Sequence, residues 1–235
     1  MEEVILYGWP YLGLVIMFAL FAYLVLEPRV GLRRADPSFV LPMVWPMYLL
    51  HQFEEHGIDA LGRKFAFLDS LCATLGFDLG TCPGDASFIF AVNAVACWLC
   101  FALALIYRRR RPLVAACAWG IPFVNFFAHV GPALATRSYN PGLVTTVLLF
   151  VPMSTWMMRV TVASKQLRPL EMGWVLLCGL LIHIVLIASL QLRAQGLISE
   201  SVLLIANGLN GLWPLVIGLM AEGVRGMSAR SSSSA

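Results

Sequence analysis

The stretch His-Gln-Phe-Glu-Glu-His occupies residues 51–56, inside an apolar segment that runs from residue 38 to residue 57. The twelve residues before it carry no charged side chain. Two carboxylates and two imidazoles in such a segment are unusual, because a charged group is costly in a dry core and at membrane depth. The surrounding sequence decides which of these two environments applies.

Composition favours a membrane protein. Of the 235 residues, 60% are hydrophobic and only 12% are charged, whereas a soluble domain carries about 25% charged residues. So few charges cannot cover a water-facing surface. The Arg clusters adjoin apolar runs, and no soluble domain remains to hold a duplex, so nucleic-acid binding is not expected. We predict an all-α polytopic transmembrane bundle forming one domain over residues 1–226, with a disordered tail at 227–235.

A membrane-spanning helix needs about 20 apolar residues, and seven segments meet this requirement. They are 4–26, 38–57, 86–107, 113–134, 142–162, 172–194 and 201–222. The second is the weakest, because it contains two prolines and the polar stretch. The chain begins with Met-Glu-Glu, an acidic start unlike that of a secretory signal peptide, so we expect the first segment to be a retained span.

The positions of Lys and Arg predict the orientation. With the N-terminus outside, 12 of the 16 basic residues fall in the inner loops and the C-terminal tail. Loops rich in Lys and Arg stay in the cytoplasm. We therefore predict seven spans, an outer N-terminus, a cytoplasmic C-terminus, and location in the inner (plasma) membrane.

The longest loop, 58–85, is predicted to lie outside. It contains Cys72 and Cys82, and thiols outside the cytoplasm can persist as a disulfide. A bridge between them and two free thiols are both open on the sequence alone, because their separation is unknown.

Helical spacing divides the polar stretch. His51, Glu54 and Glu55 stand at i, i+3 and i+4 and project to one side of a helix. His56 points away from that face and is expected near the outer surface. In the fourth span Asn125 and His129 stand at i and i+4, so they also share a face.

Further polar residues lie in other spans, Asn93 and Asn207 at the depth of His51 and His129, and His183 and Asn210 deeper, near the midplane. By residue count they occupy the outer half of the membrane, which predicts one polar cavity open to the outside. The alternative for each is a simple hydrogen bond to a neighbouring helix. The remaining members of this set are Asn93, Tyr139, Asn140, His183, Asn207 and Asn210.

Imidazole and carboxylate together predict a divalent metal site, with zinc first and iron or manganese as alternatives. The predicted ligands are His51, Glu54, Glu55, His129 and His183. A carboxylate that is not a ligand, Glu55 or Glu54, would serve as general base on metal-bound water. Two adjacent carboxylates in a dry site need a cation or a shared proton.

The string His51-Gln52-Phe53-Glu54-Glu55 resembles the H-x-x-E-E signature of the HXXEE-domain family of bacterial integral membrane proteins. Asn125-x-x-x-His129 and the run from Tyr139 to Thr145 are similar to that family's second region. The resemblance covers roughly residues 40–150. It supports His51, Glu54, Glu55 and His129 as a site, and it implies no established reaction.

The seven-span plan also resembles the zinc-dependent lipid amidases of the alkaline ceramidase and adiponectin receptor superfamily. Their paired histidines in the last span are absent here, so the likeness is one of architecture. The hypothesis is a metal-dependent membrane enzyme that hydrolyses or transfers a group of a membrane lipid or apolar small molecule, with an oxidative iron enzyme as a variant. The alternatives are a proton- or ion-coupled transporter that uses Glu54 and Glu55, and a non-catalytic membrane assembly partner.

Overall fold

The computed structural model of the protein describes residues 2–27 and 35–233, and within these ranges the chain is helical. No β-strand forms there; Ile58 and Lys64 make one isolated antiparallel bridge. The helices are α1 (Glu2–Leu26), α2 (Val44–His56), α3 (Phe67–Thr74), α4 (Ala86–Tyr107), α5 (Pro112–Thr136), α6 (Leu143–Ala163), α7 (Pro169–Ala194) and α8 (Glu200–Leu209 and Trp213–Ser233, joined by one 3-10 turn). The all-α prediction is confirmed.

Within the described ranges, six helices are long and apolar enough to cross a membrane, namely α1 and α4 to α8. They coincide with six of the seven predicted spans, so the chain is a helical protein of the membrane type. The other predicted span is helical from Pro37 through two short turns, Pro37–Val40 and Leu41–Met43, into α2. It does not count among the six, because the polar residues of its last turns lower its mean hydropathy.

The core lies where α2, α4, α5 and α7 meet. Trp119 of α5 is fully buried, and its indole N–H donates to the Leu41 carbonyl at 2.8 Å, which ties α5 to the segment leading into α2. One residue further, Gly120 packs directly on the backbone of Gly179 in α7, and no Cβ would fit at either position. Small residues at such crossings let membrane helices approach closely.

Ion pairs join the helix ends that carry the Arg clusters. Glu27 accepts from Arg108 and Arg109, and Arg108 is buried. Glu171 likewise accepts from Arg168 and Arg225. The half-buried Glu27 thus joins α1 to the end of α4, and the buried Glu171 joins α7 to α8.

The C-terminal helix is longer than the sequence predicted. A disordered tail was expected from residue 227, but the helix continues to Ser233, and residues 234 and 235 lie outside the described ranges. Ala and Arg in this stretch are good helix formers, which extends α8 past its apolar part.

Two helices contain a π-helical turn, over Ala91–Cys97 in α4 and Thr146–Phe150 in α6. Such turns are rare and often adjoin functional sites. Both face the polar residues of α2: Asn93 accepts from Gln52, and the Phe150 ring lies 4.5 Å from that of His51.

Candidate metal centre

Three predicted site residues meet where α2 faces α5. His51 and Glu55 lie one turn apart on α2, which brings both onto one face, and His129 lies on α5. Glu55 Oε2 is 3.3 Å from His51 Nε2, and Glu55 Oε1 is 3.0 Å from His129 Nε2. All three side chains are buried, and one ligand atom from each lies within 4.8 Å of the others.

Hydrogen bonds fix the tautomer of His51. The Thr145 hydroxyl donates to Glu54 Oε2 at 2.5 Å, so its oxygen is left to accept from His51 Nδ1 at 2.9 Å. Nδ1 therefore carries the ring proton, and a neutral His51 presents the Nε2 lone pair toward Glu55.

Asn140 does the same for His129. Its amide nitrogen donates to the His129 carbonyl at 2.9 Å, and its amide oxygen lies 2.8 Å from His129 Nδ1. Because that oxygen can only accept, Nδ1 carries a proton, and a neutral His129 turns its Nε2 lone pair toward Glu55. Both imidazoles are thus oriented by a partner behind them, as metal-binding histidines usually are.

Glu54 has a different role from its neighbour. Its two oxygens accept four hydrogen bonds: from the Tyr139 hydroxyl at 2.9 Å, the Val144 N–H at 3.1 Å, the Thr145 N–H at 2.7 Å and the Thr145 hydroxyl at 2.5 Å. These bonds hold the 139–145 loop, which ends in the first turn of α6, against α2. The structure does not bring Glu54 into the group of His51, Glu55 and His129, so its role as metal ligand or base stays a prediction.

His183 also stays apart from this group. It lies on α7 and its Nδ1 donates to the Gly179 carbonyl at 2.8 Å within the same helix. The grouping of ligand atoms found in the described part of the chain contains His51, Glu55 and His129 but not His183. Its predicted role as a further ligand is therefore not supported by the geometry.

The asparagines of α4 and α8 make hydrogen bonds between helices. Asn93 Oδ1 accepts from Gln52 Nε2 at 3.1 Å. Asn207 Nδ2 donates to the Ser189 hydroxyl, and Asn210 Nδ2 to the Ile182 carbonyl, each at 2.8 Å. Asn207 and Asn210 hold α8 on α7 away from the three ligands, so the predicted polar layer divides into a centre and separate helix contacts.

His56 was expected at the outer surface, and this was wrong. It is only 5% exposed, and its Nε2 lies 3.3 Å from Glu55 Oε2, although the two atoms are not aligned as a hydrogen bond. Its ring packs between Trp9 of α1 and Phe67 of α3, with ring centroids 5.2 and 4.7 Å away. Helices distant in sequence bury this residue, and helical spacing within α2 does not reveal them.

Gly142 covers the centre. Its φ is +90°, a conformation that favours glycine. A Cβ at this position would lie 2.7 Å from both Glu55 Cγ and His129 Cε1, and 2.8 Å from His51 Cε1. The backbone of the 139–145 loop, held by Glu54, therefore lies directly against all three candidate ligands.

The same loop contacts the long connection between α2 and α4. The Tyr139 hydroxyl accepts from the Ala60 N–H at 3.1 Å while it donates to Glu54. Burial and the adjacent Glu54 carboxylate raise the pKa of Tyr139 above its ordinary value. Within this connection a disulfide joins Cys72 of α3 to Cys82, one of the two arrangements that the sequence left open.

Tyr48 belongs to the site although it was not among the predicted residues. Asn125 Nδ2 donates to the Tyr48 hydroxyl and lies equally close, 3.1 Å, to His51 Nε2. Tyr48 stands three residues before His51, so the helical spacing that identified Glu54 and Glu55 also indicated it. Helical spacing on α2 could not indicate Thr145 and Gly142, which belong to another segment. The signal for them was the resemblance of the run from Tyr139 to Thr145 to the family's second region.

Comparison with known proteins agrees with the motif. The family described as "Protein of unknown function with HXXEE motif" matches residues 42–157, which include α2, α5 and the 139–145 loop. No curated protein and no solved structure matches the chain.

Proposed function

We propose that the protein is a metal-dependent membrane enzyme, from the geometry of residues 42–157, the region that matches the HXXEE family of unknown function. Its divalent metal would bind His51, Glu55 and His129. Zinc is the first expectation, with iron or manganese as alternatives, and the substrate would be a lipid or another apolar molecule.

The observation that carries the proposal is the convergence of acceptors. Thr145 and Asn140 hold the Nδ1 protons of His51 and His129, so in their neutral forms both imidazoles turn their Nε2 lone pairs toward the Glu55 carboxylate. Acceptor atoms in a buried site repel one another unless a cation lies between them. A divalent metal or a proton would supply that charge.

The distances suit a metal. Two ligands about 2.0–2.1 Å from a tetrahedral zinc ion stand about 3.3–3.4 Å apart. Glu55 approaches the two rings with different oxygens, Oε2 at 3.3 Å from His51 Nε2 and Oε1 at 3.0 Å from His129 Nε2. One ligand atom from each of the three residues lies within 4.8 Å of the others. Two histidines and one carboxylate form the ligand set of several catalytic zinc sites and of non-haem iron oxygenases, and both leave positions for water and substrate.

A metal at this site would polarise a substrate carbonyl and lower the pKa of a bound water, which is the chemistry of hydrolysis. In this proposal Glu55 is a ligand, and Glu54 positions the 139–145 loop because its oxygens already accept four hydrogen bonds. Thr145 and Asn140 orient the two imidazoles.

We also propose that Pro37–His56 is a seventh crossing, with the N-terminus outside and the protein in the inner membrane. The distribution of Lys and Arg supports this orientation. It places α3 and the disulfide outside, where a disulfide persists.

Metal analysis of the purified protein tests the function. The wild type, prepared without chelator, should contain about one metal ion per chain. His51→Ala, His129→Ala and Glu55→Gln should contain almost none. His183→Ala is the matched control, because it removes an intramembrane histidine outside the centre, and it should keep the ion. The proposal is overturned if the wild type contains no metal after growth and titration with zinc, iron and manganese. A proton would then supply the positive charge between the imidazoles and Glu55.

A further inference from the structure

A cavity lies on one side of the metal centre. Its volume is about 130 Å³, and it is lined by residues of α2, α3, α4, α5 and α7. Glu55 forms part of its wall, so the carboxylate that contacts both imidazoles also borders this space.

Most of the cavity wall is apolar. Phe67 and Leu71 of α3 cover it on one side, and Val92 and Leu186 belong to the helices that enclose it. Polar cavities hold ordered water, whereas a cavity of about 150 Å³ lined by such side chains stays dry and takes up benzene. By that comparison, this cavity accommodates a hydrocarbon group of about six carbon atoms.

Two polar side chains of the wall, Asn125 and His183, have hydrogen-bond acceptor atoms left for a ligand. Asn125 Nδ2 donates to the Tyr48 hydroxyl, and the Nδ1 proton of His183 is used by Gly179. Asn125 therefore offers its carbonyl oxygen, and His183 its Nε2 lone pair. These groups and Glu55 would meet the polar end of a molecule whose hydrocarbon part fills the remaining space.

We propose that this cavity binds the hydrocarbon part of the substrate, and that the substrate carries a short chain or ring of about six carbons with its polar, reacting end at Glu55. This inference rests on the proposed function, since the metal centre would act on that polar end. A long acyl chain exceeds this volume, and we therefore expect affinity to stop rising beyond about six carbons.

The test uses photolabelling of the purified full-length protein with a six-carbon alcohol that carries a diazirine. Mass spectrometry should find the label on the cavity residues of α4 and α7. Unlabelled alcohols should compete about fourfold better for each added methylene, up to about six carbons, and no better beyond. Partition of the alcohols into the detergent micelle also increases with chain length, but it does not level off at six carbons.

Two variants separate the cavity from the lipid-facing surface. Val92→Phe fills the cavity and should abolish the labelling, and Leu186→Phe does so from the opposite helix if the first variant fails to fold. Val95→Phe is the matched control, because Val95 lies on the same helix and is 43% exposed on its outer side. It should label as the wild type does.

Metal content, measured on the same samples, distinguishes failure of the two proposals. Labelling that Val92→Phe abolishes supports the cavity even if no sample contains metal, in which case only the metal function fails. Labelling that is equal in Val92→Phe and wild type, or competition that strengthens through ten carbons, overturns the cavity proposal even if the wild type holds its metal.

Discussion

Gly142→Ala gives the sharpest test of the centre, because it adds one carbon atom against all three candidate ligands. The new Cβ would lie 2.7 Å from Glu55 Cγ and His129 Cε1 and 2.8 Å from His51 Cε1. Carbon atoms in packed proteins keep about 3.5–4.0 Å apart. The rings and the carboxylate must therefore move outward, away from the position where a shared ion would bind.

Two costs arise, and a control separates them. An alanine at φ +90° costs about 1–2 kcal/mol for the left-handed backbone, and relief of the contacts adds about 1–3 kcal/mol. Gly196→Ala carries only the first cost, because Gly196 has a φ of +71° and nothing lies within 4 Å of its Cβ position. The cost of relieving the contacts arises when a bound ion holds the three ligands in place. It therefore lowers the affinity for the metal, by about 5- to 150-fold.

The assay is competition with a chromogenic chelator in detergent, with thermal unfolding recorded for each variant. Gly196→Ala should bind metal like the wild type. If Gly142→Ala stays within twofold of wild-type affinity, Gly142 does not cover the ligands. An equal loss in both variants would instead point to a general effect of backbone strain.

Three other substitutions or treatments have defined outcomes. Asn140→Ala removes both bonds to His129 and should weaken metal binding about 10- to 100-fold, whereas Asn207→Ala should not; equal affinities by chelator competition would contradict the tautomer assignment. Glu54→Gln turns an amide toward groups that donate, so the free energy of unfolding should fall by about 1–3 kcal/mol while the metal stoichiometry stays near one; loss of the metal with unchanged stability would make Glu54 a ligand after all. After reduction in intact cells, Cys72 and Cys82 should react with a membrane-impermeant maleimide and Cys117 should not; labelling only after lysis would reverse the proposed orientation.

Periodicity and composition predicted the parts of the site that a single helix determines. The spacing of His51 and Glu55 placed them on one face, and His129 was predicted as their partner from its place in another span. Both inferences depend only on helix geometry and on the cost of polar groups among apolar residues. Six of the seven predicted spans followed from the same two principles.

The sequence could not distinguish the role of Glu54 from that of Glu55. Both carboxylates lie on the same side of α2, so spacing gives them equal claims to a metal. The loop 139–145, about 85 residues away, decides between them by donating four hydrogen bonds to Glu54. His56 shows the same limit, since Trp9 and Phe67 bury it from other helices.

The position of the ligands in the chain links metal binding to assembly of the bundle. His51 and Glu55 lie on α2, while His129 and the covering Gly142 belong to α5 and the loop before α6. In an inserted but unassembled chain these residues are apart, so an ion would bind only after the helices have docked. By mass action, a free ion at one hundred times its dissociation constant would stabilise the docked form by about 2.7 kcal/mol. Metal supply would then set how much of the protein persists as an assembled bundle, quite apart from any turnover of substrate.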